Sequence, residues 1–120
     1  MCSLDVIKCL QNLREKNYFS DSAWDERGLI PSPPELKIKL ENTKKSLIDE
    51  LISLLEKSAS RDTLYEKALQ YLEQCLDDEK LDTEESEFLS DCICEVAVTA
   101  QIERFIEDSE AWILSRYLTQ

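Results

Sequence analysis

Glycine and proline are scarce in this chain, and their scarcity limits the folds that it can adopt. One Gly and three Pro occur in 120 residues. Sandwiches and barrels of β-strands need a turn about every 8 to 12 residues, and glycine and proline supply many of those turns. The composition therefore favours a few long helices. The length fits one domain, residues 1–120, with a core of its own.

Apolar residues recur at helical spacing over four segments, and each segment is expected to form a main helix. The segments are 3–16, 32–57, 62–77 and 82–108, and a short turn of helix is expected over 22–27 in the less regular segment between the first two. Trp112 and its apolar neighbours are expected to form a further short helix that docks the C-terminus on the rest. The sequence thus predicts an all-α, single-domain helical bundle of four main helices plus a short C-terminal helix.

Local signals predict where three of these helices begin or end. Ser32 and Glu35 flank Pro33 in the pattern of a capping box, in which Ser32 caps the helix and Pro33 takes its first position. The cap of the next helix is expected within residues 62–63. Gly28 is expected to end the short helix over 22–27, because glycine readily takes the left-handed conformation after a helix.

The segment from Asp82 to Asp108 is expected to run through the middle of the bundle. Its first half places seven small or apolar residues on one side of a helix. These are Phe88, Leu89, Cys92, Ile93, Val96, Ala97 and Ala100. From Val98 onward the pattern inverts, because Ile102 and Phe105 fall on the opposite side. A continuous helix that is apolar on both sides is typical of the centre of a bundle.

Cysteine usage and the lack of membrane or export signals indicate a cytoplasmic protein. The five cysteines are odd in number, and four fall at apolar helix positions, where a free thiol packs as a small hydrophobic group. These four are Cys2, Cys9, Cys75 and Cys92. No charge-free stretch approaches the roughly 20 residues that span a bilayer. The N-terminus lacks the basic and apolar regions of a signal peptide.

Negative charge is concentrated in one part of the chain. The net charge of the chain is −12. Residues 73–91 carry nine acids and one base, so this segment alone has a net charge of 1 − 9 = −8. Such a surface repels nucleic acid and membranes, and it attracts a basic protein partner. The expected contact residues are the clustered acids and one tryptophan in an irregular segment. They are Asp77, Asp78, Glu79, Asp82, Glu84, Glu87, Asp91, Glu95 and Trp24.

Missing residue types exclude most catalytic sites. The chain has no His, which removes His-dependent nucleophiles and His-ligated zinc or haem. One Gly cannot form a phosphate-binding glycine loop. We therefore expect no catalytic residues, no metal and no cofactor. One alternative keeps Glu84, Glu87 and Asp91 as ligands for Mg²⁺ in an all-helical nucleotide hydrolase, although the next clustered acids lie much further along the same helix. Those acids are Glu103, Glu107 and Glu110.

In size, acidity, cytosolic character and helical build, the chain looks like the immunity proteins of bacterial toxin systems, including those of contact-dependent inhibition. The resemblance implies a non-enzymatic protein that binds and neutralises a cognate toxin domain, such as a nuclease with a basic groove. The alternative from another class is a structural or adaptor module that self-associates, with Ile38 or Ile52 at the contact.

Overall fold

The computed structural model describes residues 3–102 and 105, and it describes side chains from Asp5 onward. Within this part the chain forms five helices and no strand, which confirms the all-α fold. The helices are α1 (Ser3–Glu15), α2 (Asp21–Glu26), α3 (Pro34–Glu56), α4 (Arg61–Asp77) and α5 (Thr83–Thr99). The predicted C-terminal helix with Trp112 lies outside the described residues, as does Cys2.

Two helices share the centre of the bundle. Helix α3 packs against α1, α4 and α5, and helix α5 packs against α1, α3 and α4. The sequence placed the segment that starts at Asp82 in the middle of the bundle and counted the segments 32–57 and 62–77 with it as the core; the 23-residue α3 shares the central position. Its buried residues are Leu40, Lys44, Leu47, Ile48 and Leu51. Among the described helices, none has the length and apolarity needed to cross a membrane.

The apolar side predicted for α5 is confirmed. All seven of its predicted members, from Phe88 to Ala100, are at most 4% exposed. Three polar residues share that side, Glu85, Ser86 and Ser90, and all three are buried. The Ser90 hydroxyl donates a hydrogen bond to the Ser86 carbonyl over 2.8 Å, so its polarity is satisfied within the helix. Cys75 of α4 packs against both serines, with its Sγ 3.4 Å from the Ser86 carbonyl oxygen and 3.7 Å from the Ser90 hydroxyl.

The prediction that this helix continues to Asp108 is wrong, because α5 ends at Thr99. Gln101 adopts a left-handed backbone conformation with φ 62°. Its N–H donates to the Val98 carbonyl, and the Ile102 N–H donates to the Ala97 carbonyl, each over 2.9 Å. This pair of bonds is a Schellman motif, which satisfies the last carbonyls of a helix and turns the chain away from its axis.

The inverted apolar pattern therefore marks the turn of the chain and not a second buried side of one helix. Ile102 and Phe105, which follow the turn, are 4% and 0% exposed, whereas Val98 in the last turn of α5 is 52% exposed. Periodicity alone does not distinguish these two readings, because an inverted phase and a change of direction produce the same spacing.

The same motif ends two other helices. Gly28 follows α2 with φ 74°, as predicted, and Ser58 follows α3 with φ 58°. At the end of α3, the Ser58 N–H donates to the Leu55 carbonyl and the Ala59 N–H donates to the Leu54 carbonyl, over 3.0 and 2.9 Å. Of these three turns, the one after α2 has glycine at the left-handed position, whereas the other two have Ser58 and Gln101. The glycine content therefore does not predict the turns after α3 and α5.

Two predicted helix caps are wrong. Helix α3 starts at Pro34 with the extended Pro33 as its cap, and the Ser32 hydroxyl donates to the Glu85 carboxylate instead. The reason is that a residue before proline is disfavoured in helical conformation, and Pro34 follows Pro33 directly. Helix α4 is capped by Ser60 and not within 62–63, because the Ser60 hydroxyl accepts the Thr63 N–H over 3.2 Å.

One of the cysteine predictions is also wrong. Cys9 is exposed, whereas Cys75 and Cys92 are buried free thiols, as expected. Among the described helices, α1 packs against α3 and α5 alone, so its buried stripe is narrow. That stripe consists of Val6, Leu10 and Leu13. Burial raises the pKa of the Cys75 and Cys92 thiols, which keeps them protonated and unreactive.

A buried lysine ties α3 to the loop after α1. Lys44 is 1% exposed, and its Nζ lies 2.8 Å from Glu41 Oε2. The same ammonium donates to the Lys16 carbonyl, and Glu41 Oε1 accepts the Phe19 N–H over 2.9 Å. A buried charge is tolerated only when it is paired and hydrogen-bonded, and both conditions are met here.

We expect Lys44→Met to lower the free energy of unfolding by about 3 kcal/mol, because it leaves Glu41 without its buried counter-charge. Urea denaturation followed by circular dichroism measures this. The control is Lys8→Met, since the exposed Lys8 on α1 has no partner among the described residues and its loss is expected to change stability by about 0.5 kcal/mol or less. Equal effects of the two substitutions would contradict the assigned role of Lys44.

We expect Ser58→Gly to raise the free energy of unfolding by about 0.5–1 kcal/mol, because glycine adopts a positive φ without the steric cost that serine bears. Thermal denaturation is a suitable measurement. The same substitution at the exposed helical residue Ser53 is the control, and it is expected to cost roughly 0.5 kcal/mol. A loss of stability in both variants would show that residue 58 is not strained.

Candidate acidic interface

Four of the predicted contact residues line the outer side of α5. Glu84, Glu87, Asp91 and Glu95 are exposed and recur every three or four residues, so they share one side of the helix. The other sides of α5 are covered by α1, α3 and α4. Residues 84–95 extend over about 16 Å at the helical rise per residue. We call these four residues the acidic row.

Two members of the acidic row are already engaged within the chain. The Arg27 guanidinium bonds Asp91 Oδ2 over 2.9 Å and lies over the Phe88 ring, 4.4 Å from its centre. At the other end, Glu95 hydrogen-bonds Tyr18, and burial together with this bond raises the pKa of the Tyr18 hydroxyl. These contacts hold Arg27 and Tyr18 against α5 and partly neutralise the C-terminal half of the row.

The N-terminal half of the acidic row is less neutralised. Glu84 and Glu87 have no hydrogen-bond or ion-pair partner among residues 5–102. Glu84 lies in the first turn of α5, where the helix dipole stabilises a negative charge. The Asp82 carboxylate already has a hydrogen-bond partner within the chain, because it caps α5. Its carboxylate accepts the Glu85 N–H over 2.7 Å, and Glu85 in return accepts the Asp82 N–H over 3.0 Å.

The acids of the loop between α4 and α5 do not extend the acidic row. Asp78 bonds Lys39 on α3 over 2.6 Å and also accepts the Lys80 N–H over 3.0 Å. The Lys39 ammonium lowers the pKa of the Asp78 carboxyl below its ordinary value. Asp77 and Glu79 are exposed beside it. The eight predicted carboxylates therefore divide into the row on α5, the cap Asp82 and a loop group directed in part toward α3.

Trp24 does not belong to the interface, because its side chain is 1% exposed. Its ring packs edge-on against Phe88 with centroids 4.8 Å apart, and Phe19 contacts the same phenyl ring at 4.8 Å. Trp24 is the buried residue that fixes the short helix α2 to the core. Burying its large indole ring stabilises the folded state more than leaving the ring in solvent would. The indole N–H is buried without a partner among the described residues.

Sequence reasoning missed Arg27 and Tyr18, which flank the acidic row. They line a cavity of about 510 Å³ together with Phe88 and Glu95. Arg27 pairs with a residue 64 positions away, and no local pattern encodes such a contact. Among the described residues, no group of three His, Cys, Asp or Glu is placed to hold a metal ion. The acids Glu103, Glu107 and Glu110 lie outside the described residues.

We expect Asp78→Asn to lower stability at pH 7 by a few tenths to about 1 kcal/mol, because it removes a partly exposed ion pair with Lys39. A lowered folded-state pKa stabilises the protein above the unfolded pKa and ceases to do so as pH falls through the folded value. The wild type and the variant should therefore converge in acid below about pH 4. Urea titrations between neutral and acidic pH test this, with Glu79→Gln as the neighbouring control.

The control variant should match the wild type at every pH, because Glu79 has no ion-pair partner in the described part of the chain. A constant difference between wild type and Asp78→Asn across the pH range would show that the Asp78 charge is not what stabilises the fold.

The chain belongs to a family described as a domain of unknown function (DUF4844), whose model matches residues 1–109. No curated protein and no solved structure matches the chain.

Proposed function

We propose that this member of the DUF4844 family is a non-enzymatic binding protein that neutralises a basic partner through the acidic row on α5. The observation that carries the proposal is the pair Glu84 and Glu87, which are exposed on one rigid helix face without a counter-charge in the described part of the chain. Asp91 and Glu95 continue that face toward Arg27 and Tyr18. A basic side chain on a partner can therefore add to an existing row of acceptors.

The buried side of α5 makes the row rigid. Phe88 and Cys92 alternate with the acids along the helix and are 3% and 0% exposed. Because the backbone is held by the core, binding does not have to order the helix that presents the carboxylates. The net charge of −12 adds a long-range field that raises the association rate with a cationic protein.

The partner that fits this chemistry best is a toxin domain that itself binds nucleic acid. Such a domain carries Arg and Lys side chains for phosphates, and carboxylates on a helix can occupy the same groove. In this proposal the protein is a bacterial, cytoplasmic immunity protein of a toxin system. Inhibition follows from occupation of the groove and requires no chemistry from this chain.

The proposal predicts that a neighbouring reading frame encodes a toxin with a basic domain, and that domain is the partner to test. Isothermal titration calorimetry should show binding that weakens as salt is added, because screened charges contribute to it. We expect Glu84→Lys combined with Glu87→Lys to weaken binding on the order of 10-fold or more. The same variant should fail to protect cells that express the toxic domain.

The matched control reverses two exposed acids on α4, Glu66→Lys with Glu73→Lys, which changes the net charge by the same amount. If binding depends only on net charge, both variants lose equal affinity, and the assignment to α5 is wrong. A wild-type affinity that is the same at low and high salt would contradict the electrostatic mechanism as a whole.

A further inference from the structure

The outer side of the first half of α3 carries an exposed isoleucine. Ile38 is 60% exposed, whereas Ile52 further along the helix is half-buried against the core. Ile38 and Asn42 lie between two grooves of about 530 and 500 Å³ and line both of them. One groove lies toward the loop that precedes α2, and the other lies toward Tyr71 on α4. We call this surface the α3 face.

Negative charge is low around the α3 face. Residues 35–46 hold four lysines and two glutamates, a local balance of 4 − 2 = +2 in a chain of net charge −12. Three of the lysines have partners within the chain. They are Lys37 with Asp21, Lys39 with Asp78 and Lys44 with Glu41.

Two opposite charges remain on the α3 face. Glu35 and Lys45 have no hydrogen-bond or ion-pair partner in the described part of the chain. A second copy of this acidic protein meets little repulsion here, because the net negative charge lies elsewhere on the surface. One acid and one base on the same face also allow that face to complement itself.

The positions of these residues are symmetric along the helix. Glu35 and Lys45 lie equally far before and after Leu40, and so do Ile38 and Asn42. Leu40 is 0% exposed and points into the core, so all four residues lie on the side opposite to it. Two α3 helices that pack antiparallel about a two-fold axis at this point place Glu35 of one copy against Lys45 of the other. The same operation places each Ile38 against the second copy's Asn42.

The geometry points to a two-fold symmetric dimer in which the α3 faces of two copies pack antiparallel, with Ile38 at the centre and two Glu35–Lys45 ion pairs at the ends. In this arrangement each of the two grooves faces the same groove of the second copy. The contact is the same on both copies, so it closes at the dimer and forms no filament.

Sedimentation velocity of the full chain, from micromolar to near-millimolar concentration, tests the dimer. The expected result is a mass that rises from that of the monomer toward twice that value. Ile38→Asp should keep the protein monomeric, and Val98→Asp, which changes an exposed apolar residue on α5, should leave association unchanged. A monomer at all concentrations in the wild type would overturn the inference.

A charge exchange tests the register of the two helices. Glu35→Lys and Lys45→Glu should each weaken association on the order of 10-fold or more, because each puts like charges opposite one another at two places. The double variant Glu35→Lys/Lys45→Glu restores opposite charges at both places, and its dimer constant should return close to that of the wild type. A double variant as weak as the single ones would overturn the proposed antiparallel register.

The rescue also controls for folding, because the double variant contains both substitutions that weaken the dimer singly. This dimer does not depend on the proposed function, since the acidic row lies on a different helix. Glu84→Lys/Glu87→Lys should leave the dimer intact, and Ile38→Asp should leave binding of a basic partner intact. Loss of both properties in one of these variants would place the two contacts on the same surface and overturn the assignment to α3.

Discussion

The burial of one side of α5 is the constraint on which the rest of the structure depends. That side takes up nearly every apolar residue between Glu85 and Ala100, and it also buries Ser86 and Ser90. Helices α1, α3 and α4 cover it, and the loop that carries Phe19 packs its ring on Phe88. Because most of the apolar residues pack in the core, the four acids of the acidic row lie together on the exposed side of α5, with Val98 after them. The acidic row is thus a consequence of the same pattern that forms the core.

Periodicity was sufficient to predict the fold class, four of the five helices within a few residues, and the buried side of α5, because each of these depends on spacing within one segment. Contacts that depend on the path of the chain were not predictable in this way. The end of α5 was missed since Gln101 takes a left-handed conformation without being glycine. The burial of Lys44 was missed since its partners, Glu41 and the Lys16 carbonyl, meet it only after the loop folds over α3.

At the candidate interface, too, spacing within one helix was predictable from the sequence, whereas contacts between distant residues were not. Sequence spacing correctly placed Glu84, Glu87, Asp91 and Glu95 on one exposed side of a helix. It did not reveal that Arg27 reaches Asp91 or that Lys39 reaches Asp78, because these partners are far apart in the chain. A count of charges in the sequence therefore overstates the free negative charge. Within the acidic row, Glu84 and Glu87 are the two residues without a hydrogen-bond or ion-pair partner in the described part of the chain.

The buried Lys44–Glu41 pair has a consequence for local motion. The Glu41 carboxylate accepts the Phe19 N–H, and this loop also carries Tyr18, which bonds Glu95 at the end of the acidic row. The Phe19 amide proton can exchange with solvent only when the loop leaves α3, since its acceptor is held in place by the ammonium behind it. The hydrogen-exchange rate of this amide thus reports how often the aromatic loop detaches from α3 and alters the surface next to α5.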